Sequence, residues 1–238
     1  MLAHMGLLDG RVALVSGGGR GIGAGISFRL AAEGAKIAIN YSRGSEEAET
    51  VRAEIEKAGG VARCYQASVA DYAESRAMVE QVVADFGFVD ILVNNAGIAS
   101  RGKSVADTDA AEVEKLLAVH AIGAHQLSAA VLPSMRTRER GDIVFVSSVA
   151  TSNYSGNGAP YNMGKAAMEA LAYTLAKEER HNGIHVNIAA PGLVETDMGV
   201  RLARAMHGKR EMENLRELDA KSPFGRVCQP NDVAEVVL

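Results

Sequence analysis

The stretch Val-Ala-Leu-Val-Ser-Gly-Gly-Gly-Arg-Gly-Ile-Gly, residues 12–23, decides the fold of this chain. Its first four residues, Val12 to Val15, are all apolar and predict a strand that is buried on both faces. The glycine-rich turn that follows leads into a helical stretch. A strand, a glycine-rich turn and a helix in this order predict a dinucleotide site, because glycine lets the backbone approach phosphate and the helix N-terminus offers free N–H groups. The alternative is a merely flexible glycine-rich turn.

Short apolar runs alternate with helical stretches along the rest of the chain. The pattern predicts a first helix to about Glu33, further strands at about 35–40, 61–67, 89–93, 142–147 and 184–189, and further helices at about 45–58, 71–86, 109–132 and 159–181. Strands this apolar predict a parallel sheet covered by helices. We therefore expect an α/β fold, a Rossmann-type doubly wound parallel sheet in three α/β/α layers, as a single domain over residues 11–238.

The two ends of this domain and one internal segment are interpreted separately. Residues 1–10 form an N-terminal extension, and residues 1–5 read as a cloning remnant before the natural start. A charged amphipathic helix is predicted at Arg201–Leu218, inside a segment of about 196–220 that we interpret as a lid over the site.

Charge and composition argue against several classes of partner. The 25 basic and 29 acidic residues give a net charge of −4, and the basic residues are scattered, so nucleic acid is not expected as a partner. We also expect no membrane span, no signal peptide and a cytoplasmic location. Cys64 and Cys228 stand alone in the sequence, and the chain shows no metal-binding spacing of Cys or His, so no metal is expected.

Tyr161 and Lys165 are four residues apart and follow Ser148 by 13 and 17 residues. On a helix, positions i and i+4 share a face, so the phenol and the ammonium point into the same volume. A nearby cation favours phenolate and makes tyrosine usable as an acid or base. Ser148 ends an apolar strand, where open α/β sheets bind ligands. A lone Tyr-x-x-x-Lys is more often a solvated helix face, but this context favours hydride-transfer chemistry.

The end of the second strand bears on the choice of cofactor. It reads Asn40-Tyr41-Ser42-Arg43 and carries no carboxylate, which would bind a ribose diol and repel a 2′-phosphate. Arg43, together with Arg20 of the glycine turn, offers charge-assisted contacts to a phosphate. We therefore expect NADP(H) rather than NAD(H). The alternative is that Arg43 is an ordinary solvated loop cation.

Five motifs together resemble the short-chain dehydrogenase/reductase superfamily. They are Ser16-Gly17-x-x-x-Gly21-x-Gly23, Asn94-Asn95-Ala96-Gly97, Ser148, Tyr161-x-x-x-Lys165 and Pro191-Gly192-Leu193-Val194-Glu195-Thr196. They follow the family's order and spacing, and the resemblance runs from Arg11 to the last residue. Within the family the chain resembles the 3-oxoacyl-[acyl-carrier-protein] reductases.

The resemblance implies a role for each residue of the motifs. Tyr161 exchanges the proton with the substrate oxygen, and Ser148 holds that oxygen. Lys165 binds the nicotinamide ribose and lowers the pKa of Tyr161. Val194 and Thr196 fix the carboxamide. The full set expected at the cofactor is Ser16, Gly17, Gly19, Arg20, Gly21, Ile22, Gly23, Asn40, Tyr41, Ser42, Arg43, Ser68, Val69, Asn94, Ala96, Gly97, Tyr161, Lys165, Pro191, Gly192, Val194 and Thr196.

The chain departs from the family pattern in three places. His120 stands where the family has an Asn that holds a water of a proton relay, and His120 either takes over that catalytic role or only packs. Ser68 replaces an Asp that contacts adenine, which removes a charged acceptor. The family also continues past Leu238 into a last strand, so the C-terminus reads as incomplete.

The expected function is NADPH-dependent reduction of a ketone to a secondary alcohol, most simply of a 3-oxoacyl thioester. One alternative is a dehydrogenase or reductase for another alcohol or carbonyl compound, such as a sugar, a steroid or a xenobiotic. A second is a nucleotide-binding regulatory protein with little turnover. Family members pair through their long helices, so we expect a homotetramer or homodimer.

Overall fold

Residues 6–207 and 211–238 are described by the computed structural model. Six parallel strands form one sheet in the order β3-β2-β1-β4-β5-β6. The strands are β1 Val12–Val15, β2 Lys36–Tyr41, β3 Val61–Gln66, β4 Ile91–Asn94, β5 Gly141–Val146 and β6 Ile184–Ala189. The strand order reverses between β1 and β4, so a crevice opens there at the carboxyl ends of the strands. The predicted doubly wound α/β fold in a single domain is confirmed.

Nine α-helices are described along the same residues. They are α1 Gly21–Ala32, α2 Ser45–Lys57, α3 Tyr72–Phe86, α4 Ala110–Leu117, α5 Gly123–Met135, α6 Ala150–Asn153, α7 Ala159–Glu179, α8 Asp197–His207 and α9 Pro230–Val237. On one face of the sheet, α3, α5 and α7 bury a core that includes Leu14, Leu127 and Phe145. On the other face, α1, α2 and α9 bury Val15 and Ile39. The sheet therefore lies between two helical layers, as the apolar strands predicted.

The long helix predicted at about 109–132 is interrupted in the middle. A π turn, Ala118–Ile122, joins α4 to α5 and contains His120. The whole helical segment, Ala110–Met135, is long and apolar enough to cross a membrane by length and composition alone. In the fold this segment packs against α3 and α7, with Leu116, Leu127 and Val131 in the interior. Its apolar character is therefore explained by the core.

The prediction of one continuous helix at Arg201–Leu218 is wrong. The helix α8 begins earlier, at Asp197, and ends at His207, and a separate 3-10 turn covers Arg216–Lys221. Two hydrogen bonds between residues far apart in sequence fold this segment back on itself. Glu195 Oε1 accepts from Leu215 N at 3.1 Å, and Arg204 Nε donates to Met212 O at 2.6 Å. A small apolar cluster of its own holds the segment together, formed by Val200, Ala203, Met212, Leu215 and Val227.

Two parts of the interpretation fall on positions outside the described residues. These are the N-terminal remnant at residues 1–5 and the part of the proposed lid at residues 208–210, which includes Lys209 and Arg210.

Candidate active site

The glycine-rich turn leaves β1 and enters α1 at the crevice. Gly17 and Gly21 have φ angles of +62° and +53°, a region that other residues adopt at a cost. A Cβ at Gly19 would come within 2.9 Å of Ala48, and one at Gly23 within 2.1 Å of Gly17 O. Ile22 and Gly23 form the first turn of α1, whose N-cap residue Arg20 makes no side-chain capping bond. The turn is thus shaped to bring a helix N-terminus against phosphate, and these residues fit a dinucleotide.

The side chains of Ser16 and Asn95 join this turn to β4. Ser16 Oγ donates to Val93 O at 3.1 Å and accepts from the backbone N–H groups of Asn95 and Ala96 at 2.9 and 3.0 Å. Asn95 Nδ2 donates to Ser16 O at 2.9 Å and to Gly17 O at 3.2 Å. Ser16 is 1% exposed. Its hydroxyl is therefore committed to positioning the turn.

Asn40, at the end of β2, has a comparable role. Its side chain accepts from Gly17 N at 3.3 Å and donates to Tyr65 O at 3.3 Å and Ala67 O at 3.0 Å. Asn40 is 1% exposed, and its amide braces β2, β3 and the glycine turn. Of the other residues predicted at this strand end, Tyr41 is half-buried, and Ser42, Arg43 and also Arg20 are exposed.

The loop after β3 places Ser68 and Val69 beside the crevice. Ser68 is half-buried and its N–H donates to Glu74 Oε2 at 2.6 Å, while Val69 is buried. At the end of β4, Asn94 Nδ2 donates to Ser128 Oγ at 3.2 Å. Asn94 Oδ1 and His120 Nδ1 are both buried without a hydrogen-bond partner among the described residues, and both residues line one narrow cavity together with Val69 and Ala96.

Ser148, Tyr161 and Lys165 lie together at the carboxyl end of β5. Tyr161 and Lys165 are on α7, one turn apart, and the Lys165 Nζ is 5.9 Å from the centroid of the Tyr161 ring. The Lys165 Nζ donates to Val146 O at 2.7 Å. The Ser148 hydroxyl lies near enough to the Tyr161 hydroxyl to lower the pKa of that phenol. The prediction that Tyr161 and Lys165 share one face of a helix, with Ser148 at the carboxyl end of a strand, therefore agrees with their placement.

Burial dominates the electrostatics of this group. It raises the pKa of Tyr161, and the hydrogen bond with Ser148 opposes that rise only in part. Burial also lowers the pKa of Lys165 to about 7, against the opposite influence of the Glu169 carboxylate. The pKa of Tyr161 is thus raised on balance, although the resemblance implied that Lys165 would lower it. Tyr161 is a neutral phenol at physiological pH in this arrangement.

His120 packs against the reaction centre from the π turn. It is 1% exposed, and its ring meets Tyr161 edge to face, with centroids 5.2 Å apart. Its Nε2 lies 2.9 Å from Ile98 O, which favours the tautomer that donates there and leaves Nδ1 as an acceptor. Burial and the charge of Lys165 lower the pKa of His120 to about 3. The imidazole is therefore neutral, which fits packing and acceptance of a hydrogen bond but not storage of a proton.

Two glycines make room for that imidazole. A Cβ at Gly97 would lie 3.0 Å from His120 Cε1, and a Cβ at Gly164 would lie 3.1 Å from His120 Cβ. Contacts this short force neighbouring atoms to move. Gly97, which was predicted at the cofactor, therefore also has a packing role.

The segment after β6 connects the reaction centre to the glycine turn. Pro191 O accepts from Val149 N at 3.1 Å, next to Ser148. Thr196 Oγ1 accepts from Gly199 N at 3.0 Å and so caps α8, while the Thr196 methyl would lie 3.2 Å from a Cβ at Gly21. Gly192 is exposed and Val194 is buried. Residues 191–196 thus run along the crevice between the two halves of the site.

Sequence reasoning missed one residue of the site, Glu169. Its Oε1 accepts from Ser147 Oγ at 2.5 Å and from Thr151 Oγ1 at 2.8 Å, on either side of Ser148. The signal that was present is its spacing, four residues after Lys165 on the same helix. Among the described residues, no group of three or more His, Cys, Asp or Glu side chains is arranged to hold a metal ion.

Comparisons with known proteins agree with this arrangement. A sequence profile of the short chain dehydrogenase family matches residues 11–207. Versicolorin reductase of Emericella nidulans is 37% identical over 236 residues, which cover 97% of this chain and 88% of the relative. The 3-oxoacyl-[acyl-carrier-protein] reductase FabG of Staphylococcus aureus is 34% identical over 225 residues, which cover 94% of this chain and 88% of the relative.

Two solved structures have the same fold. A short chain dehydrogenase from Burkholderia cenocepacia in complex with NADP has a TM-score of 0.85 and 36% identity, covering 97% of this chain and 89% of that one. An NAD⁺-bound xylitol dehydrogenase has a TM-score of 0.88 and 29% identity, covering 97% of this chain and 92% of that one. Structural relatives of this chain thus bind either nicotinamide cofactor.

Proposed function

The chain belongs to the short-chain dehydrogenase family of NAD(P)-dependent oxidoreductases, and we propose that it reduces a ketone to a secondary alcohol with NADPH. The observation that carries this proposal is the reaction centre: a neutral Tyr161 phenol that has the Ser148 hydroxyl beside it and the Lys165 side chain one helical turn away. A protonated phenol is ready to donate a proton, which is the need of the reductive direction.

Each residue of the reaction centre has a separate task in this proposal. Ser148 donates a hydrogen bond to the ketone oxygen and holds it against the Tyr161 hydroxyl. Tyr161 then gives its proton to that oxygen. A bound nicotinamide supplies the hydride that reaches the carbonyl carbon. Lys165 stabilises the negative charge that develops on Tyr161 as the proton leaves, and holds the nicotinamide ribose. His120 keeps the Tyr161 ring in place and offers Nδ1 as an acceptor on the buried side.

The preference for NADPH rests on charge at the end of β2. Arg20 and Arg43 are both exposed near the glycine turn, and residues 40–43 contain no carboxylate. An adenosine 2′-phosphate in this position gains charge-assisted hydrogen bonds from guanidinium groups. The Burkholderia structural relative in complex with NADP supports this preference for NADPH. Because the xylitol dehydrogenase of the same fold is bound to NAD⁺, the preference is tested below.

For the substrate, we favour a 3-oxoacyl thioester, on the similarity to the Staphylococcus reductase. A second candidate is a ketone on a fused aromatic ring, which is suggested by the similarity to a probable tetrahydroxynaphthalene reductase of Zymoseptoria tritici, 35% identical over 236 residues. One observation favours that candidate: Val149, Tyr154 and Met163 are 40%, 60% and 48% exposed and lie close in sequence to Ser148 and Tyr161. Exposed apolar surface beside a reaction centre suits an apolar substrate.

The segment at about 196–220 is proposed as the lid over the substrate. Glu195, in the segment after β6, accepts a hydrogen bond from Leu215 N, and an apolar cluster that includes Val200 and Leu215 holds the segment together. Arg201 is exposed and available to an anionic carrier, whereas Arg204 is engaged with Met212 O. The alternative for Arg201 is an ordinary solvated helix face.

For assembly and location, we propose a cytoplasmic homotetramer or homodimer. The long helix and α7 carry exposed apolar side chains, Ile122 at 50% and Tyr173 at 61% exposure. Apolar side chains on adjoining helices are a suitable contact for a second copy of the chain.

A titration followed by turnover tests this function. NADPH and NADH are titrated separately into the purified protein and followed by nicotinamide fluorescence. Acetoacetyl-CoA or 2-tetralone, a fused-ring ketone, is then added to the tighter complex, and the absorbance of the reduced cofactor is recorded. Oxidation with acetoacetyl-CoA supports the 3-oxoacyl assignment, and oxidation with tetralone alone supports the aromatic one. Tight binding with no turnover of any ketone would favour a regulatory protein.

A further inference from the structure

A single carboxylate oxygen holds the turn that carries Ser148. Glu169 Oε1 accepts a hydrogen bond from Ser147 Oγ at 2.5 Å, before Ser148, and from Thr151 Oγ1 at 2.8 Å, after it. The Thr151 hydroxyl also lies 2.9 Å from Ser148 O. Ser148 therefore sits in a turn that is fastened on both sides to α7, the helix that carries Tyr161. Hydrogen bonds to a charged acceptor are stronger than neutral ones, so this fastening is firm.

The same carboxylate acts on Lys165. Glu169 follows Lys165 by one helical turn, and its negative charge favours the ammonium form of Lys165 against the effect of burial. The other groups around Lys165 are the Tyr161 phenol on the same helix, the His120 imidazole on the π turn and the Val146 carbonyl on β5. All three are neutral near pH 7. Glu169 is thus the anionic group that supports Lys165 within the described part of the chain.

We propose that Glu169 is a positioning residue of the reduction: it fixes Ser148 through Ser147 and Thr151 and stabilises the positive charge of Lys165. The proposal rests on the proposed function in that Ser148 and Lys165 must act on the ketone. Glu169 itself hydrogen-bonds to Ser147 and Thr151 and acts on the reacting atoms only through its neighbours. It connects the two elements of the site, the strand end that carries Ser148 and the helix that carries Tyr161 and Lys165.

Two substitutions separate the two actions of Glu169. Glu169→Gln keeps an acceptor oxygen for Ser147 and Thr151 but removes the charge. Lys165 then loses its proton at lower pH, so the alkaline limb of the kcat profile should move down by about half a pH unit or more, with KM changed less than about twofold. The double substitution Ser147→Ala with Thr151→Val removes both hydrogen bonds but keeps the charge of Glu169. It should lower kcat by about tenfold and leave the alkaline limb of the profile where it is in wild type.

Controls on the same helix and at the same position complete the set. Glu178→Gln removes an exposed carboxylate near the end of α7 and should leave the kcat profile unchanged. Glu169→Asp keeps the charge on a shorter side chain, so it should retain the alkaline limb of wild type while lowering kcat. An alkaline limb that shifts equally in Glu169→Gln and Glu178→Gln would overturn the proposal, because the effect would then be general to the helix.

A measurement without turnover keeps this test independent of the proposed function. Lys165 is charged in the folded protein below about pH 7 and neutral above it. Glu169→Gln should therefore unfold more easily than wild type below pH 7, and this difference should fade as the pH rises through that value. If wild type reduces no ketone, the proposed function fails and this stability profile still tests Glu169. A stability loss that is the same at every pH, with an unmoved alkaline limb, overturns the proposal.

Discussion

His120 and Tyr161 meet edge to face, with ring centroids 5.2 Å apart and ring planes at 80°. The contact arises because the long helix opens into a π turn at Ala118–Ile122, which carries the imidazole towards α7. Aromatic pairs prefer this geometry. The reacting phenol is thus held on one side by Ser148 and on another by a buried neutral imidazole, so substitutions at His120 are expected to affect both the stability of the fold and the reaction.

Acid should destabilise the protein through His120. The pKa of His120 falls from 6.5 to about 3 on folding, so the unfolded chain binds a proton between these values and the folded chain does not. Stability is therefore lost as the pH falls from about 6.5 towards 3, by at most about 1.4 kcal/mol per pH unit. Urea unfolding of wild type and His120→Asn at several pH values checks this. The variant should lose less stability with acid, and parallel curves would contradict the assignment.

Gly164 and His120 should be energetically coupled. A Cβ at Gly164 would lie 3.1 Å from His120 Cβ, so Gly164→Ser should destabilise the protein by about 1–3 kcal/mol. In a His120→Gly background both this Cβ and the imidazole ring are absent, so the cost of Gly164→Ser should fall by at least about 1 kcal/mol. Denaturant unfolding of the four proteins of this double-mutant cycle gives the coupling. Additive effects would show that Gly164 does not accommodate the imidazole.

The elements that sequence patterns predicted well are those whose signal is local. The four apolar residues of β1 are all buried, and the glycine turn that follows has the positive φ angles that only glycine adopts readily. The spacing of Tyr161 and Lys165 also places them correctly, because one helical turn is a fixed geometry. In each of these cases a few neighbouring residues contain all the information.

Features that depend on distant contacts were not predictable. The helix expected at Arg201–Leu218 is broken because Glu195 binds Leu215 N, a contact between residues 20 positions apart. The bracing role of Asn40 also depends on a distant contact, because its side-chain amide donates to Ala67 O, 27 residues away. Glu169 was overlooked because its partners Ser147 and Thr151 belong to another segment. Local periodicity contains none of these pairings.

Tyr161→Phe removes the proton donor and keeps the ring. We expect kcat for ketone reduction to fall by about 10²–10⁴-fold, because the proposed reaction takes its proton from the Tyr161 hydroxyl. The affinity for NADPH should change little, since the ring still fills its place beside His120. Stopped-flow turnover and fluorescence titration measure the two quantities. A kcat within tenfold of wild type would show that another group donates the proton.

The cofactor preference should depend on Arg43. Arg43→Ser removes an exposed cation at the end of β2. It should weaken NADPH binding by about ten- to a hundredfold and leave NADH binding nearly unchanged, since only NADPH carries the 2′-phosphate.

Lys57→Ser, at the far end of α2, is the matched control for loss of one positive charge. Both affinities are measured by fluorescence titration at two salt concentrations, because a direct guanidinium contact is screened less than the general charge of the protein. Equal losses for NADPH in Arg43→Ser and Lys57→Ser would mean that Arg43 acts only through net charge, and the phosphate contact would then have to be sought at Arg20.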